Sequence, residues 1–276
     1  MIKVAVPNKG SLAESAALIL KEAGYRQRTD ARDLTLYDPE NDIEFYYLRP
    51  RDIAVYVGSG ELDIGITGRD LLIDSGVTAT EILPLDFGHS TFRLAAKSEI
   101  SLDGKRIATA YPGLVESYLA KMKISATVVR LDGAVESSVR LGVADIIADV
   151  VSTGGTLRQA GLQVFGEPIL HSEAIVIERA GNTRGEAIET LLRRINGVVI
   201  ARQYVLVDYD VETINLAAAT ALTPGIESPT ISPLQKAGWS AVRAMVKSKE
   251  VNRIMDELYK VGARGILVTD IHASRL

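Results

Sequence analysis

The chain contains no cysteine. Disulfides, thiolate metal sites and cysteine nucleophiles are therefore excluded, and a reducing compartment is its natural home. Histidine is scarce. His89, His171 and His272 are scattered and share no metal-ligand spacing, so each reads as a structural or solvated side chain. No apolar run approaches the ~20 residues of a membrane span, and no membrane partner is expected. The opening MIKVAVPNKG lacks the apolar core of a secretory signal, so a cytoplasmic location is expected. A net charge of −4 offers no basic surplus for nucleic acid. The loops GxxxxGK[ST] and GxGxxG and the helix motif HExxH are all missing. What remains is 276 residues, 47% hydrophobic and 24% charged. That composition belongs to a soluble globular protein of two or three domains.

The stretch 136–157 organises the rest. It opens as a short amphipathic helix, with Val135, Val139 and Leu141 as candidates for its buried side and Gly142 as its stop. The apolar run 144–151 follows, interrupted only by Asp145 and Asp149, which suits a strand buried on both faces of a parallel sheet. Then come Ser152, Thr153, Gly154, Gly155 and Thr156, and a second helical pattern. Glycines let successive backbone N–H groups converge on one anion, and hydroxyls add donors. Asp149 would repel a phosphate. Its work is to accept hydrogen bonds from sugar hydroxyls or to hold Mg²⁺ beside the phosphates. Carboxylate and cradle together suggest a phosphorylated sugar; an ordinary turn with Thr156 as N-cap is the alternative.

Earlier in the chain, a strand at 2–6 runs into Pro7, Asn8, Lys9, Gly10 and Ser11 and then a helix. In open α/β sheets ligands gather at this strand edge, and Lys9 can meet a phosphate there or simply be solvated. Arg49 and Arg69 stand at helix starts, where each can clamp an anion or decorate the surface. Tyr111, in the turn Ala110-Tyr111-Pro112-Gly113, either stacks on a base or packs under the turn.

A faint internal repeat links the two halves. GELDIGI at 60–66 resembles GVADIIA at 142–148, and KVAVPNKG at 3–10 resembles RIATAYPG at 106–113. Two similar α/β lobes around a hinged cleft are expected. Lobe I would hold residues 1–89 and 174–202, and lobe II residues 90–173, with two chain crossings as the hinge. The remainder, 203–276, reads as strand, helix, two strands, helix and strand. That is the βαββαβ order of a ferredoxin-like module.

These residues together resemble the long form of the ATP phosphoribosyltransferase family. Glu136, Gly142, Ala144, Ile147, Asp149, Val150, Thr153, Gly154, Thr156 and Leu157 fall where the family signature puts them. PNKGSL, RPRDIAVYVGSGELDIGITGRDLL and LTPGIESPTISPL are also similar to it. The resemblance implies a periplasmic-binding-protein-like two-lobed core and a ferredoxin-like regulatory domain. It implies Mg²⁺-dependent transfer of ribose 5-phosphate from phosphoribosyl pyrophosphate (PRPP) to N1 of ATP, releasing pyrophosphate, as the first step of histidine biosynthesis. It implies a homo-oligomer, a hexamer with a dimeric form, that histidine inhibits.

On this view PRPP meets Asp149, Glu136 and residues 152–156. ATP or pyrophosphate meets Lys9, Arg49, Arg69 and Tyr111, and no single acid or base is needed. Asp210, Thr230 and Gly265 would receive histidine. One position departs from many relatives. Gly155 stands where they carry a basic or bulkier residue, and weaker sugar-phosphate affinity is expected. A solute-binding protein on the same fold, without chemistry, is the competing class.

Overall fold

A computed structural model describes residues 1–151, 154–181 and 184–274. Two compact units emerge from its contacts: Met1–Lys21 with Tyr25–Glu189, and Glu22–Gly24 with Thr190–Leu276.

The first unit holds two sheets. The chain lays down β1 (Ile2–Pro7), α1 (Ser11–Glu22), β2 (Thr35–Asp38), β3 (Ile43–Leu48), α2 (Pro50–Gly58), β4 (Ile64–Gly68), α3 (Arg69–Ser75) and β5 (Ala79–Pro84). It then crosses to a second sheet with β6 (Ser90–Ala96), β7 (Arg106–Thr109), α4 (Pro112–Met122), β8 (Thr127–Arg130), α5 (Ser137–Arg140), β9 (Ile146–Val151), α6 (Gly155–Gln159) and β10 (Gln163–Ser172). It returns as β11 (Ala174–Arg179). The sheet orders are β2-β3-β1-β4-β11-β5 and β10-β6-β9-β7-β8.

Leave out the edge strand β2 and the two orders are the same. In each, one strand (β1 or β7) sits between two parallel neighbours, and an antiparallel strand from a chain crossing (β11 or β6) is inserted before the far edge. The inner strands are Val/Ile-rich and buried on both faces, as strands covered by helices on both sides must be. Proline opens α2 and α4, where its missing N–H costs nothing.

The repeat has a physical cause. The Asp63 carboxylate accepts the Lys3 N–H at 2.8 Å, and its own N–H donates to the Lys3 carbonyl at 3.0 Å. Asp145 repeats this on Arg106, at 3.0 and 2.9 Å. Each aspartate thus closes the start of its lobe's central strand onto the next strand. The Arg106 guanidinium also holds the Asp145 carboxyl down at about 2.

The crossings lie side by side: the Leu85 N–H donates to the Ala174 carbonyl at 3.0 Å, and the Ala174 N–H to the Phe87 carbonyl at 2.9 Å. Leu141 is 76% exposed, because α5 ends at Arg140 and Gly142 turns the chain with φ of 73°. Its expected place on the buried side is therefore corrected; Val135 and Val139 are buried.

The second unit contains β12 (Tyr204–Glu212), α8 (Leu216–Leu222), β13 (Thr230–Pro233), β14 (Trp239–Lys247), α9 (Val251–Lys260) and β15 (Arg264–Asp270). Its sheet, β13-β14-β12-β15, is antiparallel throughout, which is the ferredoxin-like arrangement. Alternate residues of β12 (Val205, Val207, Tyr209, Val211) pack with Ile254 and Leu258 of α9. Inside this core the Tyr209 hydroxyl meets Thr223 Oγ1 at 2.8 Å.

Residues 211 and 212 belong to the strand, because the ladder with β14 continues to Glu212 opposite Trp239. The two compact units divide between Glu189 and Thr190. The division lies inside a continuous helix, α7 (Glu186–Gln203), that runs directly into β12, so no loop marks the change. Among the described residues, no helix is long and apolar enough to cross a membrane.

Candidate functional site

A cavity of about 420 Å³ opens between the two lobes of the first unit. Lobe I brings Lys9, Ser11 and Asp70 to it, and lobe II brings Tyr111, Val150 and Ser172. These residues stand at the C-terminal ends of strands or in the turns that follow, the edge where α/β sheets expose backbone donors and helix starts. Lys9 is exposed. Asp70 is buried, and its carboxylate accepts the Ser172 hydroxyl at 2.8 Å while its own N–H donates to Ser172 Oγ at 3.0 Å.

Tyr111 packs under the turn and also borders the cavity. Phe92 meets its ring edge-to-face at 5.3 Å, and the Arg51 guanidinium lies 4.7 Å from its centroid. Burial, then the nearby Asp70 charge, pushes the phenol well above its ordinary value. Arg51 itself pairs with Asp74, whose other oxygen accepts the Leu114 N–H of lobe II at 3.3 Å.

A second region adjoins this cavity through β9. Successive strand residues face opposite ways, so Asp149 lies on the side away from Val150. It shares the face of Ile147, whose cluster includes Val135, Val139 and Leu157. Burial raises the Asp149 carboxyl above its usual range; the Val150 N–H at 2.7 Å opposes the shift and the Glu136 charge adds to it. The charge of half-buried Glu136 is thus felt at half-buried Asp149, towards the end of the strand. Arg93 stands opposite Asp149 in the ladder; its Nη2 donates to the Gly166 carbonyl at 2.6 Å and its Nε is buried without a partner.

Beyond β9, Gly154 caps α6 with φ of 67°, a left-handed conformation that favours glycine, and Gly155 begins the helix. Thr156 lies within that helix, exposed, and is not its N-cap. Ser152 and Thr153 lie outside the described residues.

Arg69 has a different place from the one its sequence context suggests. Its guanidinium makes two bonds to Glu81, at 2.8 and 2.7 Å, one to Glu173 at 3.1 Å and one to the His171 carbonyl at 3.2 Å. The cation is held in a clamp across the chain crossings, so an anion would reach it in competition with Glu81 and Glu173. The two carboxylates drive its pKa upward. Breaking a pair of this kind strands two acids, so Arg69→Met is expected to cost about 2 kcal/mol of stability, discounted for partial exposure. A cycle with Glu81→Gln should show coupling above about 1 kcal/mol, whereas additive effects would remove the clamp from the account.

Arg49 is exposed and precedes α2. His89, isolated in the sequence, comes near Asp86 and Glu173, with ligand-type atoms within 4.8 Å of one another. Both Glu173 oxygens already accept hydrogen bonds, from Arg69 and from the Asp86 N–H.

In the ferredoxin-like unit, Asp210 and Gly265 come together: a methyl built on Gly265 would stand 3.6 Å from Asp210 Oδ2. Thr230 is one row away. It pairs with Arg243, which stands opposite Asp208 rather than Asp210. Asp210 is also interior to β12. Sequence reading passed over Arg51, Asp70, Asp74 and Arg93. The motif RPRD held Arg51 in view, but nothing local to the other three announces their partners, which are distant in sequence.

Fold and cleft define a two-lobed α/β ligand-binding core of the periplasmic-binding-protein-like kind, joined to a ferredoxin-like module. Within that class, the chain belongs to the ATP phosphoribosyltransferase family (HisG), which matches residues 49–197, while the HisG C-terminal domain matches residues 201–273. Both parts being present, it is of the long form. It is 62% identical to the ATP phosphoribosyltransferase of Pseudarthrobacter chlorophenolicus and to that of Arthrobacter sp. (strain FB24), over 100% of each chain. The solved ATP phosphoribosyl transferase (HisG:HisZ) complex from Thermotoga maritima superposes with a TM-score of 0.62 at 26% identity, covering 72% of this chain and 98% of that one. The protein is thus a transferase of the first histidine-pathway class.

Proposed function

We propose that this chain transfers the phosphoribosyl group of PRPP to N1 of ATP, releasing pyrophosphate, in the cytoplasm. The observation that carries the reading is half-buried Asp149, within the field of Glu136, just before a left-handed glycine at Gly154 in a chain of this family. Two carboxylates suit the ribose hydroxyls, and the turn's N–H groups suit the 5-phosphate. Lys9 supplies a cation across the cleft. N1 of ATP is already a nucleophile. The chain's task is to hold the reacting atoms in line and to exclude water, and positioning of this kind is worth up to ~7–11 kcal/mol.

Mg²⁺ fits the same pair. Two half-buried acids of like charge gain from a hard cation that also bonds phosphate oxygens. Asp149 and Glu136 would hold it, and it would supply neutralisation of the leaving pyrophosphate. For regulation, the C-terminal module would receive histidine near Asp210 and Gly265, with Thr230 a neighbour on the sheet, and the active form would be a homo-oligomer, dimer and hexamer.

The direct test incubates the protein with ATP, PRPP, Mg²⁺ and a pyrophosphatase and looks for phosphoribosyl-ATP by mass. Product that declines when histidine is added is expected. PRPP that binds but never reacts would point to a solute-binding protein instead.

A further inference from the structure

A cation can act on a bound ligand only if the backbone beneath it is fixed, since misplacement by ~1 Å can cost about 100-fold in rate. Lys9 lies in the turn between β1 and α1, on the cavity wall. Asn8 enters that turn held on one side, where its N–H donates to the Leu48 carbonyl at 2.8 Å. Its side-chain oxygen adds no second hold, because Oδ1 is buried without a partner. The second hold comes from Arg28, 20 positions on, whose Nη2 donates to the Asn8 carbonyl at 3.3 Å.

Arg28 is half-buried, and its other contacts hold it in place. Nη1 donates to the carbonyls of Ala31 and Asp33, at 2.9 and 3.0 Å. The guanidinium lies 4.1 Å from the ring centroid of Tyr47, a buried side chain on β3, the strand beside β1. A planar fork with five donors can serve several carbonyls and an aromatic face at once, a task the point charge of a lysine does not match. Among the described residues Arg28 makes no ion pair, so its donors go to backbone and not to a carboxylate. An arginine used in this way sets the path of the chain. It joins the end of β1 to β3 and to the loop that precedes β2.

We infer that Arg28 is a positioning residue for the transferase reaction: it fixes the turn that presents Lys9 to the cleft, and acts through Lys9. This rests on the reading of Lys9 as the cation that lobe I gives to ATP or pyrophosphate.

The test is a double-mutant cycle on the full chain, with kcat and KM measured for ATP and PRPP in the wild type, Arg28→Met, Lys9→Met and the pair. Arg28→Met should lower kcat/KM by roughly tenfold or more. In the Lys9→Met background it should lose most of that effect, because a misplaced cation and a missing one are alike to the substrate. A merely structural role would cost the same factor in both backgrounds. Arg28→Lys keeps the charge and loses the fork, so it should fall close to Arg28→Met. Thermal melting checks that each variant is folded, and if Arg28→Met is not, the same cycle is run with Arg28→Lys. Equal losses with and without Lys9, or full activity in Arg28→Lys, overturn the inference alone. A wild-type chain that forms no phosphoribosyl-ATP, or a fully active Lys9→Met, overturns the reading of Lys9 and the inference with it.

Discussion

Asp149→Asn is expected to lower kcat/KM by about 100-fold or more, the scale of ~2.7 kcal/mol in the transition state, while leaving the protein at least as stable as before. The two halves of this expectation have one cause. Burial makes the Asp149 charge costly, and the Glu136 charge adds to the cost. A carboxyl whose folded pKa is raised binds more protons folded than unfolded. Its ionisation therefore subtracts from stability as pH rises from the ordinary carboxylate value through the folded one, and the penalty is complete above the folded value. Asparagine removes the charge, keeps an oxygen for the Val150 N–H, and loses the charged acceptor for ribose hydroxyls or Mg²⁺. Urea unfolding at pH 7 and at pH 4 should show the variant's advantage shrinking towards the acid end. A variant that is less stable at pH 7, or fully active, would contradict this account.

The second large effect concerns the contact between the lobes. Gly113, in the first turn of α4, lies so close to α3 that a methyl there would stand 2.3 Å from the Asp74 carbonyl oxygen and 3.2 Å from its carbon. That obstacle is backbone, which cannot swing aside as a side chain can. Asp74 meanwhile binds the Leu114 N–H of α4 and Arg51, whose guanidinium covers Tyr111 at the cavity wall. Gly113→Ala must push α3 and α4 apart and disturb every one of these groups. Overpacking of this kind costs about 1–3 kcal/mol. Displacing cleft walls by even ~1 Å can cost about 100-fold in rate. Thermal unfolding and KM for both substrates would measure the two losses. Gly133→Ala is the control: its added methyl meets nothing within 4 Å, and a change within about 0.5 kcal/mol is expected. If Gly113→Ala matched that control in stability and rate, the lobe contact would have no part in shaping the cleft.

Arg69 and Arg51 show how far one-dimensional reading carries. Both are arginines near a helix start, yet the sequence reading offers Arg69 to an anion and passes over Arg51. Three-dimensional pairing separates them. Arg69 meets Glu81 and Glu173, the latter 104 positions away. Arg51 finds Asp74 and the Tyr111 ring. The sequence cannot announce such partners, because the sheet alone decides which turns meet. Leu141 makes the same point on a smaller scale: helical periodicity places it on the apolar side, but the helix stops one residue earlier.

By itself the sequence determined the absence of thiol chemistry, the two lobes, the ferredoxin-like module and the family. These rest on short-range facts: strands and helices follow hydrophobic period, turns follow glycine and proline, and the GxxD repeat marks an aspartate that must bridge two strand starts. Tertiary structure alone decided which cations are spent in clamps and which are free. It also decided that Asp149 lies within the field of Glu136 towards the end of β9 and that Gly113 sets the spacing of α3 and α4. Each of these is a distance between groups brought together by sheet order, helix length or chain crossing, and the energy of a charge depends on what it finds there.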